Sequence, residues 1–473
     1  LETYAAQLDA ESLAQVWPVL AMLVKSVSTS GHRALAFDAL RLVTETGTRL
    51  AQTRSFEDAR MRRDIQDAFV RLYELVITLY ARTLDLSSSN KDSDSLSVLS
   101  EREEGAEGPP APAPAAVVQY LGARVVPALG PLMIDTDKST ALCTSMVYYV
   151  IAPGFKARSR GGDWEPLVLD TLAHVSRVPH SSKTWRTPVL ETFMDPKFFA
   201  QSPQMGQQWA PIVAALLGAE RERFADIIGR IVPAPSANLF TSRESDLLAR
   251  VCAIRRLSYT VYAEKRHAFL AQLPQMQEKV VEILRSGPAD VVHAELYLLM
   301  RVLLCRFDSQ HLTGFWPIIL TEVLRILGDA KAQLPKENSG KLHLLFSVAK
   351  LADFLITLQT DDFQIHQWLL ITDTPDALRT STSWAPESLL DSLGDLITQD
   401  HPEVDTQGHG VLTMAQQRRP MLQISRARSL SDLVPFFLHA SRAFYENEMV
   451  QEMDWDNING RLLDDLFESI RLS

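Results

Sequence analysis

Residues 296–327 read LYLLMRVLLCRFDSQHLTGFWPIILTEVLRIL. The first half places bulky apolar residues three and four apart, the spacing that puts them on one face of an α-helix. A polar turn at 308–314 interrupts the pattern, and Trp316-Pro317 then opens a second apolar run. Proline suits the first helical turn because its missing N–H would lack an intrahelical partner there. The stretch therefore predicts two helices joined by a short turn.

The same periodicity recurs along most of the chain. It predicts helices over about 57–86, around 292–303 and around 344–358. Alternation of the kind that strands show is scarce, and no convincing hairpin signal is present. The sequence predicts an all-α fold, an α-solenoid of stacked antiparallel helical hairpins with degenerate HEAT- or armadillo-like repeats.

Tryptophan and proline occur together unusually often. Of eight tryptophans, six are followed by proline within three residues, namely Trp17, Trp164, Trp185, Trp209, Trp316 and Trp384. A large aromatic residue just before a helix can pack back on its first turns. We therefore predict that each pair marks the start of a helix. The alternative is that these tryptophans form an aromatic ligand site.

Length and composition exclude several classes of protein. The chain has 473 residues, too many for one ordinary core, and a net charge of −11, which disfavours nucleic-acid binding. Three separated cysteines predict buried, reduced thiols rather than disulfides. No run approaches the roughly 18 to 20 uncharged apolar residues of a membrane span. The chain begins at Leu1, and we expect it to be part of a longer polypeptide.

Residues 87–115 form the clearest break in the helical pattern. They are rich in Ser and Pro, with six acidic residues against two basic ones and few bulky apolar side chains. Such a segment buries too little surface to offset its chain entropy, so we predict a disordered insertion. The predicted organisation is helical repeats at 1–86, the insertion, a solenoid at 116–400, and a loop with a C-terminal helical segment at 401–473.

The sequence carries no catalytic or cofactor signature. The sequence has no GxxxxGK[ST], GxSxG, HExxH or CxxC motif and no EF-hand loop. Its histidines are scattered, and no spacing indicates a metal site. We predict no enzymatic activity, no catalytic or metal-binding residue, and no cofactor.

Basic residues suggest an interaction with anionic lipid. Lysines and arginines in several segments would bind phosphoinositide headgroups if the fold brought them to one face, although a flexible solvated loop is the simpler interpretation of Lys156, Arg158 and Arg160. The candidates are Lys156, Arg158, Arg160, Arg255, Arg256, Lys265 and Arg266.

A second basic segment, 418–428, precedes two serines. Arg426 and Arg428 stand just before Ser429 and Ser431, a pattern that resembles a site for a basophilic kinase. The alternative is that one of the serines caps the helix that follows.

The C-terminal segment, GRLLDDLFESIRLS (460–473), has an apolar face and an acidic face. An amphipathic terminal helix of this kind can pack on its own solenoid, form a homodimer, or dock in a partner groove. Aromatic residues and arginines near it are the types enriched in interface hot spots, although the aromatic ones could equally be core. The candidate partner-binding residues are Arg426, Arg428, Phe436, Phe437, Phe444, Tyr445, Trp455, Leu462, Leu463, Leu466, Phe467 and Ile470.

Three stretches of the sequence resemble the C-terminal region of the Dopey family. They are residues 296–327, residues 341–374 with the phrase DFQIHQWLL, and RRPMLQISRARSLSDLVPFFLHASR at 418–442. The resemblance is specific over about 290–442 and is carried by helical pattern before that. The acidic insertion at 87–115 is not a feature associated with the family.

The resemblance implies a non-enzymatic scaffold in endosome-to-Golgi and intra-Golgi traffic, on the cytoplasmic face of Golgi and endosomal membranes. It also implies two partners, a large Sec7-related scaffold protein and a lipid flippase of the type-four P-type ATPase class. The competing hypothesis is a phospholipid-binding or lipid-transfer module.

Overall fold

A computed structural model describes residues 5, 7–86, 112–157, 164–219, 222–232, 243–371, 388–400, 417–448 and 452–470. The chain divides into two compact units, which we call unit 1 (Leu1–Asp195) and unit 2 (Pro196–Ser473). This division falls inside the predicted 116–400 solenoid. Residues 87–111 of the predicted insertion, like 401–416, lie outside the described residues. The last two residues of that insertion, Pro114 and Ala115, begin a helix.

Unit 1 is built from helices wherever it is described. A 3₁₀ turn at Arg54–Glu57 precedes the third helix, and single π-helical turns interrupt the fourth at Leu121–Val125 and the fifth at Val147–Ile151. The helices are α1 (Ala10–Ser30), α2 (Arg33–Leu50), α3 (Ala59–Leu86), α4 (Pro114–Leu132), α5 (136–157), α6 (Trp164–Ser176) and α7 (Ser182–Met194).

Where it is described, unit 2 is also helical, apart from one short parallel bridge between β1 (Gln417–Arg418) and β2 (Glu452–Met453). Short 3₁₀ turns, such as Pro196–Ala200 and Ser309–His311, lie between its helices. The helices are α8 (Pro203–Ala219), α9 (Glu222–Gly229), α10 (Arg243–Ala263), α11 (Leu273–Arg285), α12 (Asp290–Arg306), α13 (Trp316–Ala332), α14 (Gly340–Leu358), α15 (Asp361–Gln364), α16 (Leu389–Asp400), α17 (Val434–Glu448) and α18 (Trp455–Leu466).

The all-α prediction is confirmed, and the predicted helices at 57–86, 292–303 and 344–358 lie within α3, α12 and α14. Helix starts follow from local capping, since Asp9, Ser339 and Asp454 each accept a backbone N–H of the following first turn. Consecutive helices such as α2 and α3 pack together, as hairpins require. The HEAT- or armadillo-like repeat type stays a prediction.

The core of unit 2 is centred on α12. This helix packs between α10 and α14, and every residue from Val291 to Cys305 is buried. The sequence suggested a single apolar stripe on this helix, but neighbours on several sides bury the whole of its circumference. The three cysteines are buried and form no disulfide, as predicted. Burial raises the pKa of Cys143 and of Cys305 to about 12.

The Trp-Pro prediction is confirmed at two positions and wrong at three. α6 begins at Trp164, and α13 begins at Trp316 with proline in its first turn. By contrast, Pro18, Pro188 and Pro211 lie inside α1, α7 and α8. The Trp384 pair lies outside the described residues.

An interior proline costs a helix about 3 kcal/mol, because a backbone hydrogen bond is lost. The preceding tryptophans, Trp17, Trp185 and Trp209, are at most 2% exposed, and their burial acts in the opposite direction. These tryptophans are therefore core residues inside continuous helices, rather than helix-start marks or a ligand site.

One helix of the described residues, α4, is long and apolar enough to cross a membrane by length and composition, and half of it is buried. The sequence prediction was that no uncharged apolar run is long enough to span a membrane. It is consistent with this helix, because Arg124 interrupts the apolar run of α4. The core helix of a folded domain passes the same test.

Candidate functional site

The C-terminal helix α18 packs against the core of unit 2. It contacts α8, α10 and α12, and its apolar side chains Leu462, Leu463 and Leu466 are buried. Phe467 is buried as well, whereas Ile470 is half-buried. Of the three roles that the sequence allowed for this face, packing within its own unit is the one observed.

Phe467 is held in an aromatic cluster. Its ring lies 5.3 Å from that of Tyr259, 5.6 Å from Phe199 and 6.0 Å from Phe198, measured between centroids. Gly206 of α8 faces the same ring, and a Cβ at that position would overlap it. Burying a phenylalanine stabilises a fold by about 1.5–3 kcal/mol, so this cluster anchors the end of the chain.

A buried charge cluster lies beside these aromatic rings. Asp465 of α18 accepts from Arg301 at 2.6 Å and from Lys350 at 2.5 Å. Burial alone would raise the pKa of Asp465, but the two cations together hold that pKa below its usual value. Arg255 pairs with Glu295 nearby and donates to the backbone carbonyl of Glu468 at 2.5 Å. Each charge is thus paired, which is what a buried ion requires.

Residues 417–425, which we call the strap, cross this region. Asp353 of α14 accepts from the backbone N–H groups of Met421 at 2.9 Å and Leu422 at 2.8 Å. Lys350 donates to the carbonyl of Ser425 at 3.2 Å, and Arg461 donates to that of Leu422. Burial raises the pKa of Asp353 to about 6 even though these N–H groups and nearby arginines oppose the rise.

A cleft of about 350 Å³ opens between the strap, α12, α14 and α18. Its ionisable lining residues are three bases and three acids, so it favours neither cations nor anions as ligands. None of its lining residues is a histidine or cysteine. The charged lining residues are Arg301, Lys350, Arg461, Asp353, Asp464 and Asp465.

Sequence reasoning missed this charge cluster. It assigned Asp464 and Asp465 to a solvent-facing acidic side of the helix, but Asp465 is largely buried, while its neighbour is exposed. The partners of Asp465 lie 164 and 115 residues away in sequence, and no local pattern reports such a pairing.

Most predicted partner-contact residues lie in the core of unit 2, which corrects their interpretation as an exposed contact surface. Packing of α17 and α18 against neighbouring helices removes them from solvent. Trp455 remains 37% exposed, Arg428 is exposed, and Arg426 is half-buried. The side chain of Tyr445 lies outside the described residues. The buried residues are Phe436, Phe437, Phe444, Leu462, Leu463, Leu466 and Phe467.

The predicted lipid-headgroup residues do not all reach the surface. Arg255 and Arg256 are buried, which corrects their assignment, because a buried guanidinium cannot meet a membrane. Lys265 and Arg266 are exposed, and Arg266 pairs with Asp308 at 2.8 Å. Lys156, in unit 1, is exposed. Arg158 and Arg160 lie outside the described residues.

Ser429 is the N-cap of the 3₁₀ turn Leu430–Leu433 that leads into α17. Asp432 closes this start by accepting from the backbone N–H of Ser429 at 3.0 Å. The capping alternative is therefore the one observed, and phosphorylation of Ser429 stays a prediction.

One exposed apolar surface was not singled out as a contact site. Ile365 is 69% exposed and Trp368 is 62% exposed, within two short turns that follow α14. Phe363 and Leu370, on either side, are buried and fix these turns to unit 2. We call Ile365 and Trp368 the Trp368 patch. Tryptophan is one of the residue types enriched in interface hot spots.

Comparison with known proteins places this architecture in a family. The family model described as DOP1 C-terminal matches residues 1–448. The chain belongs to the DOP1 family. The resemblance to Dopey proteins, another name for this family, is thereby confirmed. No solved structure matches the chain.

Relatives in the DOP1 family come from fungi and animals. Protein dop1 of Emericella nidulans is 26% identical over 83% of this chain and 21% of its own length. Protein DOP1B of Mus musculus is 23% identical over 84% of this chain and 19% of its own length. Protein DOP1 of Saccharomyces cerevisiae is 20% identical over 94% of this chain and 25% of its own length. The chain thus spans a quarter or less of these relatives, and their names state no reaction.

Proposed function

We propose that this part of a DOP1 family protein is a non-enzymatic helical scaffold that binds protein partners in endosome-to-Golgi and intra-Golgi membrane traffic. Membership of the family supports a role in trafficking. The observation that supports the binding role is the Trp368 patch, two large apolar side chains that are exposed to solvent. Buried neighbours fix the turns that hold them. The partners that we propose are the large Sec7-related scaffold and the type-four P-type ATPase flippase, at the cytoplasmic face of Golgi and endosomal membranes as a peripheral protein.

The apolar face of α18 is not part of this proposed contact. Leu462, Leu466 and Phe467 already occupy the interior of unit 2, so a homodimer or partner could use them only after α18 detached. Detachment would also leave Arg301 and Lys350 without Asp465. For the same reason, truncation of the chain before α18 is a poor test of binding, because it would remove core residues.

The test is a pull-down of the Sec7-related scaffold with the whole chain and with the double variant Ile365→Ser, Trp368→Ala. We expect the double variant to bind the scaffold roughly 30-fold more weakly and to capture correspondingly less of it, since hot-spot truncation costs about 2 kcal/mol or more. Tyr148→Ala is the matched control, because Tyr148 is 69% exposed in unit 1. No capture by the unchanged chain would overturn the proposed function. Equal capture by the unchanged chain and the double variant would show that the Trp368 patch is not part of the binding surface.

The phospholipid-binding alternative has less support. It required either a sizeable apolar cavity or basic residues that converge on one face, and Arg255 and Arg256 are buried instead. Lys265 and Arg266 alone would contribute only about 2 kcal/mol near an anionic surface. Flotation with phosphoinositide vesicles, comparing the chain with Lys265→Ala, Arg266→Ala, tests whether any lipid affinity depends on these two side chains.

A further inference from the structure

Two loops of unit 2 bring together three side chains of types that metals accept as ligands. His267 lies in the connection between α10 and α11, while Asp308 and His311 lie between α12 and α13. One ligand atom from each residue lies within 4.8 Å of the others. Among the described residues, this is the one group of three or more His, Cys, Asp or Glu with such spacing.

The distance between His267 and Asp308 fits a tetrahedral ion. The Nε2 atom of His267 lies 3.4 Å from Oδ2 of Asp308, and the edge of a tetrahedron with metal–ligand bonds of about 2.1 Å is also about 3.4 Å. The rings of His267 and His311 have centroids 5.5 Å apart. Two imidazoles that share one tetrahedral ion place their centroids about 5 Å apart. His311 is exposed, so rotation of its side chain can close the remaining gap.

The backbone holds these ligands in place. His267 has a φ of 66°, an uncommon value for a residue other than glycine, and its N–H donates to the carbonyl of Arg306 at 3.1 Å. His311 ends a 3₁₀ turn in which its own N–H donates to the carbonyl of Asp308 at 2.9 Å. The Nδ1 atom of His267 is buried without a hydrogen-bond partner among the described residues. Its Nε2 atom is the one that faces the cluster.

The carboxylate of Asp308 is oriented from its other side. Arg266 donates to Oδ1 at 2.8 Å, and the same guanidinium lies 5.5 Å from the ring centroid of Trp455. Oδ2 therefore points towards His267. Outer contacts that orient a ligating carboxylate are a regular feature of metal sites.

We propose that His267, Asp308 and His311 bind a divalent transition-metal ion, with Zn²⁺ as the preferred species. Two imidazole nitrogens and one carboxylate are ligands that Zn²⁺ accepts, whereas Mg²⁺ and Ca²⁺ are held by oxygen atoms. Asp308 and His311 are exposed, so the ion enters from solvent and a water molecule fills the fourth position. The bound ion joins the α10–α11 connection to the α12–α13 connection, whose ligands lie 41 and 44 residues after His267.

The first experiment is a titration of the chelator-treated chain with ZnCl₂ in a calorimeter. We expect one saturable site that His267→Asn and His311→Gln each weaken at least ~10-fold, since even outer contacts of metal sites contribute about 10- to 100-fold. Asparagine tolerates positive φ, so His267→Asn preserves the backbone. His180→Asn is the matched control, because His180 is exposed and has a φ of 61°. It should bind Zn²⁺ like the unchanged chain.

A second measurement separates the site from zinc bound elsewhere on the chain. Co²⁺ in a tetrahedral site gives visible absorption bands, which should appear with the unchanged chain and with His180→Asn but not with His267→Asn. Zinc binding that survives both substitutions at His267 and His311, or that Mg²⁺ matches in affinity, would overturn the proposal. Circular dichroism of each variant shows whether lost binding reflects lost folding.

Discussion

Arg301 and Asp465, 164 residues apart in sequence, form a 2.6 Å ion pair in the interior of unit 2. The same carboxylate also accepts from Lys350 of α14. A single acidic side chain of the C-terminal helix thus pairs with cations on two central helices, α12 and α14. The relationship makes α18 a part of the core rather than a mobile terminal segment.

Substitution of Asp465 by asparagine should destabilise unit 2. It would leave Arg301 and Lys350 buried without an anion, and loss of one member of a buried pair costs about 3–5 kcal/mol. The measurement is the free energy of unfolding of unit 2 in urea. Asp464→Asn is the control, since Asp464 is exposed on the same turn, and we expect a change within about 0.5 kcal/mol. Equal effects of the two substitutions would contradict the assigned role of Asp465.

Alanine at position 206 should destabilise the packing of α18. The added Cβ would overlap the ring of Phe467, and overpacking of this kind costs about 1–3 kcal/mol. Gly218→Ala in the same helix has open space around it and should be neutral or stabilising by up to about 1 kcal/mol. Thermal unfolding of both variants checks these two expectations. A lower melting temperature for Gly218→Ala than for Gly206→Ala would refute them.

Ionisation of Asp353 should make stability depend on pH between about 4 and 6. Its pKa is raised from 3.8 to about 6 in the folded chain, mainly by burial. The folded state therefore holds the proton more tightly, and the stability that this gives is fully present below pH 3.8 and lost as pH rises through 6.

The shift of the pKa of Asp353 corresponds to roughly 3 kcal/mol. We expect the free energy of unfolding of the unchanged chain, relative to that of Asp353→Asn, to fall by up to this amount between pH 4 and pH 7. Comparison with the variant cancels the other titrating groups. A relative free energy that is flat across this range would exclude the raised pKa.

Ionisation of Glu322 should make stability depend on pH in the opposite direction to that of Asp353. Burial alone would raise its pKa, but His293 at 2.6 Å and Arg325 at 2.7 Å hold that pKa at about 2, below the usual 4.5. The stability it contributes is present above pH 4.5 and is lost as pH falls towards 2. The free energies of unfolding of the unchanged chain and of Glu322→Gln should therefore converge as pH falls from 5 to 3. If the difference between these two free energies widened as pH fell, the pKa of Glu322 would not be lowered by folding.

Local chemistry explains why part of this structure was predictable. The helices α3, α12 and α14 follow from apolar spacing of three and four, because side-chain burial at that period selects a helix whatever lies elsewhere in the chain. Trp316-Pro317 opens α13 for a local reason too, since proline needs no hydrogen bond in a first turn. The same dipeptide at Trp17-Pro18 lies inside α1, where burial of the tryptophan and the rest of the helix outweighs the break.

The candidate sites were mostly not predictable. His267 and Asp308 are 41 residues apart, and the i, i+3 spacing of Asp308 and His311 is too common to indicate a metal. Arg255 and Arg256 look like surface bases in sequence, and only their contacts in the fold show that they are buried.

By itself, the sequence determined the helical class, the positions of the strongly periodic helices, the burial of the three thiols and the resemblance to the DOP1 family. Each of these depends on residue types and on spacings within a few turns. The tertiary structure alone decided which charges are paired in the core, which aromatic residues are exposed and which histidines meet. Those properties depend on contacts between residues tens to hundreds of positions apart, and local spacing carries no information about them.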